Sequence, residues 1–134
     1  MRACNVVNKQ IFLNYISQGL FHRGHSKIAK TQSDVKGVKD LRDRFRGLQV
    51  LMFDEISMIG ACALWEIHLR CQLACDHDER CTLPFGGYHI IFFGDFYQLD
   101  PVNDTSLVKQ PSDLKGEAHS AVTMLRSSLN FFSN

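Results

Sequence analysis

Two short apolar runs, each followed at once by polar residues, dominate the hydrophobic pattern of this chain. The first spans residues 50–53 and the second residues 90–93. Apolar runs of this length that stop at polar residues are typical of buried β-strands. In open α/β sheets, ligands bind just outside the carboxyl ends of the strands. We therefore expect one site built from the polar residues that follow the two strands: Asp54, Glu55, Asp95 and Gln98.

The rest of the pattern predicts helices and loops around these strands. Apolar residues recur at helical spacing from 59 to 75, which predicts an amphipathic helix after the first strand. Residues 41–47 predict a shorter helix closed by Gly47, a plausible C-cap glycine. A turn-rich stretch at 111–116 precedes a last predicted helix at 117–129. Pro84-Phe85-Gly86-Gly87 predicts the loop that turns the chain into the second strand.

The end of the first strand carries the candidate chemistry. Asp54 and Glu55 follow an apolar strand directly, although desolvating a carboxylate costs several kcal/mol unless a cation or hydrogen-bond donors meet it. In a nucleoside triphosphatase one such carboxylate holds the magnesium shell and another group orients the attacking water. By itself, an apolar strand that ends in Asp-Glu is equally compatible with an ordinary transition from strand to loop.

Three motifs together carry a resemblance to a known family. They are Asp-Glu-Ile-Ser-Met at 54–58, Pro-Phe-Gly-Gly at 84–87 and Gly-Asp-Phe-Tyr-Gln-Leu-Asp-Pro-Val at 94–102. In this order and spacing they resemble the petite-integration-frequency (PIF) family of DNA helicases, particularly the helicase region of Helitron-type transposons. Residues 3–15 are similar to the segment of these helicases that contacts single-stranded DNA. Gln10 and Phe12 depart from its usual threonine and histidine.

The resemblance implies a fold, a reaction and partners. It implies an α/β fold in which residues 1–134 form part of the first RecA-like domain of a P-loop NTPase, a parallel sheet flanked by helices. ATP would be the substrate, with Mg²⁺ held by Asp54 through water, and single-stranded and duplex DNA would be the partners. Glu55 would act as general base, Gln98 would sense the γ-phosphate, and the loop through Asp95 would relay its loss to the DNA. A nuclear location and work in DNA repair, recombination or telomere maintenance are further expectations.

The chain also departs from a complete motor. No G-x-x-x-x-G-K-[ST] phosphate loop occurs in it, so we expect an internal fragment that lacks the phosphate-loop strand and is inactive alone. In such helicases the strand before Gly94 lies between the phosphate-loop strand and the Asp54 strand. Without its neighbour it becomes an apolar edge that invites pairing with other chains, so we expect aggregation or partial unfolding. Asp100 replaces a usual proline, which predicts weaker coupling of hydrolysis to movement.

Charge, hydropathy and cysteine content bear on the kind of partner and compartment to expect for this chain. With 15 basic and 14 acidic residues the chain has no strong basic field, and a basic cluster between 36 and 46 fits a solvated helix face. No apolar stretch approaches the ~20 residues of a membrane span. Five cysteines and no secretory signal favour a reducing compartment. Four possible zinc ligands lie close together in the sequence, at a spacing unusual for zinc sites: Cys71, Cys75, His77 and Cys81. Cys71 and Cys75 are better explained as part of an apolar stripe on a helix.

Two alternatives to a helicase fragment stay open from the sequence. One is an inactive transposon-derived remnant, which the altered Gln10, Phe12 and Asp100 favour. The other is a small non-catalytic binding module with zinc at the cysteine cluster. An upstream phosphate loop would support the helicase, and stoichiometric zinc would support the binding module.

Overall fold

The computed structural model describes residues 32–75 and 79–129. These residues form two strands and three helices. In chain order they are α1 (Gln32–Phe45), β1 (Val50–Phe53), α2 (Ala61–Ala74), β2 (His89–Phe92) and α3 (Gly116–Leu129). Single 3₁₀ turns lie at Ile56–Met58, Pro84–Gly87 and Pro111–Asp113. The predicted strands and the helices after β1 and near the end of the chain are confirmed to within two residues.

The two strands pair in parallel and are joined through α2, which makes a β-α-β unit. Phe53 lies opposite Phe92 at the end of the ladder. A parallel pair requires a crossover connection, and α2 with the Pro84–Gly87 turn supplies it. The α/β prediction is therefore confirmed at the level of a two-stranded parallel sheet with helices.

One face of this sheet is covered and the other is partly open. Leu51 and Phe53 are buried, and Ile90 and Phe92 lie beside them on the same face, partly buried against the core. On the opposite face Ile91 keeps 43% of its surface exposed. The expectation that β2 is a buried strand is therefore wrong for this structure. The reason is that, among the described residues, β2 pairs only with β1 and helices cover a single face.

Helix α1 begins well before the predicted start at residue 41. Its first nine residues, 32–40, are mostly polar in sequence, and its last turns reach the core through Leu41 and Phe45. A pattern search for apolar spacing therefore detects the end of this helix alone. Gly47, with a φ of 78°, ends the segment in the left-handed conformation that glycine adopts most readily, as predicted.

The core lies between the covered face of the sheet and the helices. Helix α2 packs against α1, α3 and the Pro84–Gly87 turn. Trp65 is partly buried against this core, and its ring lies 4.8 Å from that of His68. Cys71 on α2 and Cys75 directly after its end are both buried, which confirms their assignment to an apolar stripe.

Candidate functional site

The ends of the two strands meet at one edge of the sheet. Beyond the last ladder pair, the Phe93 N–H donates to the Phe53 carbonyl at 2.7 Å. The Ile56 N–H then donates to the Phe93 carbonyl at 3.0 Å. These bonds hold the residues that follow β1 against those that follow β2. The predicted convergence of Asp54–Glu55 with Gly94–Asp95 is therefore present in the backbone.

Glu55 adopts an uncommon backbone conformation. Its φ of 58° and ψ of 53° lie in the left-handed region. For a residue other than glycine this conformation costs about 1–2 kcal/mol. The Glu55 N–H donates to the Asp54 carboxylate at 3.0 Å, which supports the turn. Strain of this kind tends to persist where a side chain must be held for function, and here it falls on the candidate general base.

Gly94 permits the close approach of the two strand ends. Its φ is 130°, and a Cβ built on it would lie 2.8 Å from the Ile56 nitrogen and 3.1 Å from the Glu55 Cα. Those neighbours are backbone atoms, which cannot move aside as a flexible side chain can. The glycine of the third motif is therefore required by packing against the candidate general base.

The loop after Gly94 carries the other two candidates. The Asp95 carboxylate accepts the Tyr97 N–H at 2.9 Å, and its carbonyl accepts the Gln98 N–H at 3.2 Å. The Asp95 side chain thus stabilises a tight turn. Residues 93–100 are all exposed. Asp54, Glu55 and Asp95 are brought to one edge, and Gln98 lies in the exposed turn beside them.

The polar side chains at this edge are carboxylates and an amide. No group of three or more His, Cys, Asp or Glu side chains lies close enough to hold an ion within residues 32–75 and 79–129. Mg²⁺ is commonly held by one or two carboxylates together with substrate phosphates and water. Exposed Asp54 at the strand end matches that requirement. His77, one of the four candidate zinc ligands, lies outside the described residues.

The Pro84–Gly87 turn is a packing junction whose partner the sequence did not reveal. The Phe85 N–H donates to His68 Nδ1 at 2.9 Å, and a Cβ on Gly86 would lie 2.5 Å from the Cys71 carbonyl oxygen. His68 is buried on α2, and burial lowers its pKa. The turn therefore anchors the start of β2 to α2. The position of His68 on the apolar stripe of α2 was the signal available for it.

Two cysteines of α2 are held as neutral thiols. Burial raises the pKa of Cys71 to about 12. Partial burial, and then the nearby Asp104 carboxylate, raise the pKa of Cys62 to about 11. Thiolates are the nucleophilic and metal-binding form of cysteine. Neither residue is therefore poised for nucleophilic chemistry at neutral pH.

Asp104 makes a contact that the sequence did not predict. It follows the third motif, and its carboxylate accepts backbone N–H groups from the first turn of α2. A contact across more than forty residues leaves no local signal in the sequence. The segment expected to contact DNA, residues 3–15 with Gln10 and Phe12, lies outside the described residues.

Comparison with known families decides the class of protein. The family model for PIF1-like helicases matches residues 16–120, well over half of the 134 residues. The chain belongs to the PIF1-like helicase family. The match includes both strands, α2 and the loop that carries Gln98, so it covers the candidate site in full.

Individual relatives agree with this membership. ATP-dependent DNA helicase PIF7 of Trypanosoma brucei brucei is 39% identical over 87 residues, which cover 65% of this chain and 8% of that helicase. ATP-dependent DNA helicase PIF1 of Candida albicans is 35% identical over 102 residues, 76% of this chain and 10% of the relative. ATP-dependent DNA helicase RRM3 of Saccharomyces cerevisiae is 33% identical over 79 residues, 59% of this chain and 10% of the relative.

This PIF1-like chain therefore spans about a tenth of the length of the curated relatives it matches. No solved structure matches it. Within residues 32–75 and 79–129, no helix has both the length and the apolar character needed to cross a membrane.

Proposed function

We propose that these residues belong to the ATP-hydrolysing motor of a DNA helicase, as part of a RecA-like P-loop domain. The observation that carries the proposal is the junction of the two strand ends. Hydrogen bonds from Phe93 to Phe53 and from Ile56 to Phe93 hold Asp54 and Glu55 beside Gly94 and Asp95. This edge is where nucleotides bind in parallel α/β sheets.

Each polar residue then has a role that its chemistry allows. Asp54 would hold Mg²⁺ through its water shell, and the ion would neutralise phosphate charge. Glu55 accepts a proton from the attacking water, and its fixed backbone conformation restricts where its carboxylate can lie. Gln98 donates its amide to the γ-phosphate from the exposed turn. When the contact between Gln98 and the γ-phosphate is lost, the turn around Asp95 changes conformation.

Wider features of the proposal follow the family. The motor would translocate 5′-to-3′ on single-stranded DNA and unwind duplex DNA. Its setting would be a nuclear one, in DNA repair, recombination or telomere maintenance, with a Helitron-type origin. Asp100, in place of a usual proline, would loosen the link between Gln98 and the DNA-binding part of the motor.

Glu55→Gln tests the proposed general base. The protein translated from the complete reading frame that contains these residues is assayed for Mg²⁺-dependent ATP hydrolysis with single-stranded DNA present. The change removes the base and keeps the size of the side chain, so kcat should fall at least about 100-fold while KM changes little.

Glu79→Gln is the matched control. Glu79 is exposed in the loop before the Pro84–Gly87 turn, which leads into the start of β2, whereas the candidate site follows the end of β2. The same chemical change there should leave kcat unaltered. Equal activity of Glu55→Gln and the unaltered protein would refute the assignment of Glu55. Absence of any ATP hydrolysis by the unaltered protein would favour an inactive remnant.

A further inference from the structure

Beyond Gln98, the chain is fastened to the first turn of α2. Asp104 Oδ1 accepts the Cys62 N–H at 3.1 Å, and Oδ2 accepts the Ala63 N–H at 3.0 Å. The Thr105 carbonyl accepts the Ala61 N–H at 2.8 Å. Helix starts leave their first N–H groups without partners inside the helix. Here a segment about forty residues away along the chain satisfies three of them, and we call this set of bonds the Asp104 clasp.

Gly60 is shaped to receive the clasp. It occupies the N-cap position of α2, where a serine, threonine, aspartate or asparagine would ordinarily cap the helix from its own side chain. A Cβ on Gly60 would overlap the Asp104 side chain, with its nearest atoms between 2.1 and 2.3 Å away. Glycine at position 60 therefore has two consequences: it provides no side-chain cap of its own, and it leaves the space that the Asp104 side chain occupies.

The clasp gives the Gln98 loop a second anchor. Its first anchor is Gly94, whose backbone packs against Glu55 and Ile56. The second is Asp104 at residues 60–63, only a few residues after Glu55 along the chain. Between the anchors, residues 94–100 are exposed, and Tyr97 keeps 97% of its surface in solvent. A loop with so little burial is positioned by its ends.

We propose that Asp104 is a positioning residue of the nucleotide site, holding the Gln98 loop at a fixed distance from Glu55 through the start of α2. This rests on the proposed function, because it assigns a purpose to the relative placement of Glu55 and Gln98. Small displacements of catalytic groups are costly, since a shift of about 1 Å can lower a rate on the order of 100-fold. The alternative is that Asp104 merely stabilises α2.

A swap of the cap separates the two possibilities. Asp104→Gly removes the two side-chain bonds of the clasp and leaves the backbone bond between Ala61 and Thr105. Gly60→Ser in the same chain then supplies a local cap, because Gly60 already has the extended backbone of an N-cap residue. The double variant restores the cap of α2 without restoring the two Asp104 bonds. Asp104→Asn keeps one accepting oxygen and should behave between the unaltered protein and Asp104→Gly.

Three readouts are taken on the protein translated from the complete reading frame that contains these residues. They are the urea midpoint of unfolding, the rate of chymotrypsin cleavage within residues 96–99, and kcat and KM for Mg²⁺-ATP. Asp104→Gly should lower the midpoint, speed loop cleavage by about tenfold or more and lower kcat by about tenfold or more, with KM within about threefold. In the double variant the midpoint should recover, while cleavage stays fast and kcat stays low.

Each result decides the matter. Recovery of slow cleavage and full kcat in the double variant would show that Asp104 is a helix cap and no more. Unchanged cleavage in Asp104→Gly would show that the loop does not depend on this anchor. If the unaltered protein hydrolyses no ATP, the proposed function fails, and the cleavage rates still test the anchoring of the loop by themselves.

Discussion

The Pro84–Gly87 turn and the loop at residues 94–103 flank the same strand, and they differ in almost every physical respect. Phe85 in the turn is 3% exposed and Gly86 is buried against α2, whereas Tyr97 in the loop is 97% exposed. Both segments lie within the residues that the PIF1-like family model matches, and both were singled out in the sequence as family motifs. The residues of the turn serve packing against α2, whereas those of the loop are exposed and free to contact a ligand. A family motif can therefore mark either a packing requirement or a chemical one, and burial distinguishes the two.

Gly86→Ala should produce the largest effect, on stability. The added Cβ would lie 2.5 Å from the Cys71 carbonyl oxygen, and φ at this position is 61°, which alanine adopts poorly. Because helix backbone cannot move aside cheaply, we expect a loss of about 3 kcal/mol or more in the free energy of unfolding. Urea unfolding followed by the fluorescence of Trp65, the only tryptophan, measures it.

Gly37→Ala is the control for that change. Gly37 lies within α1, and a Cβ there meets nothing within 4 Å. Alanine in a helix is favoured over glycine, so this variant should gain about 0.5–1 kcal/mol. If Gly86→Ala cost less than about 1 kcal/mol, the turn would not be the rigid junction described above.

A smaller effect on the junction should appear at acid pH, through His68. Its Nδ1 accepts the Phe85 N–H, and burial between the rings of Trp65 and Phe85 lowers its pKa. The folded state therefore binds fewer protons than the unfolded state just below the ordinary histidine pKa of 6.5. Its stabilising contribution is complete above that pH and is lost as the pH falls further.

The measurement compares unfolding free energies between pH 7.5 and pH 5. His68→Gln should remove most of the decline at acid pH, since glutamine offers an accepting oxygen and no titration. His119→Gln changes an exposed histidine on α3 and should leave the decline in place. The same slope in all three proteins would mean that His68 is not the group that titrates.

The contrast between turn and loop also explains what the sequence could predict. The strand ends at Asp54, Glu55 and Asp95 were predictable, because apolar runs and the polar steps after them are local features. The Asp104 clasp and the His68 acceptor were not, because each joins residues far apart in the chain through a backbone N–H, which every residue except proline possesses. The exposure of β2 depends on which neighbours cover it, and its own sequence carries no record of them.

Tyr97→Ala, in the exposed loop, should produce the smallest effect on stability of the changes considered. Its ring is 97% exposed, and the bond from its N–H to Asp95 belongs to the backbone and survives the change. We expect the free energy of unfolding to change by less than about 0.5 kcal/mol.

The matched control is Tyr88→Ala at the other end of β2. Tyr88 packs against the core, with its ring 5.5 Å from Phe45 and the Arg80 guanidinium 5.8 Å above it, so its loss should cost about 2 kcal/mol. Equal losses at the two tyrosines would mean that the Tyr97 ring is packed in solution, contrary to its exposure in the structure.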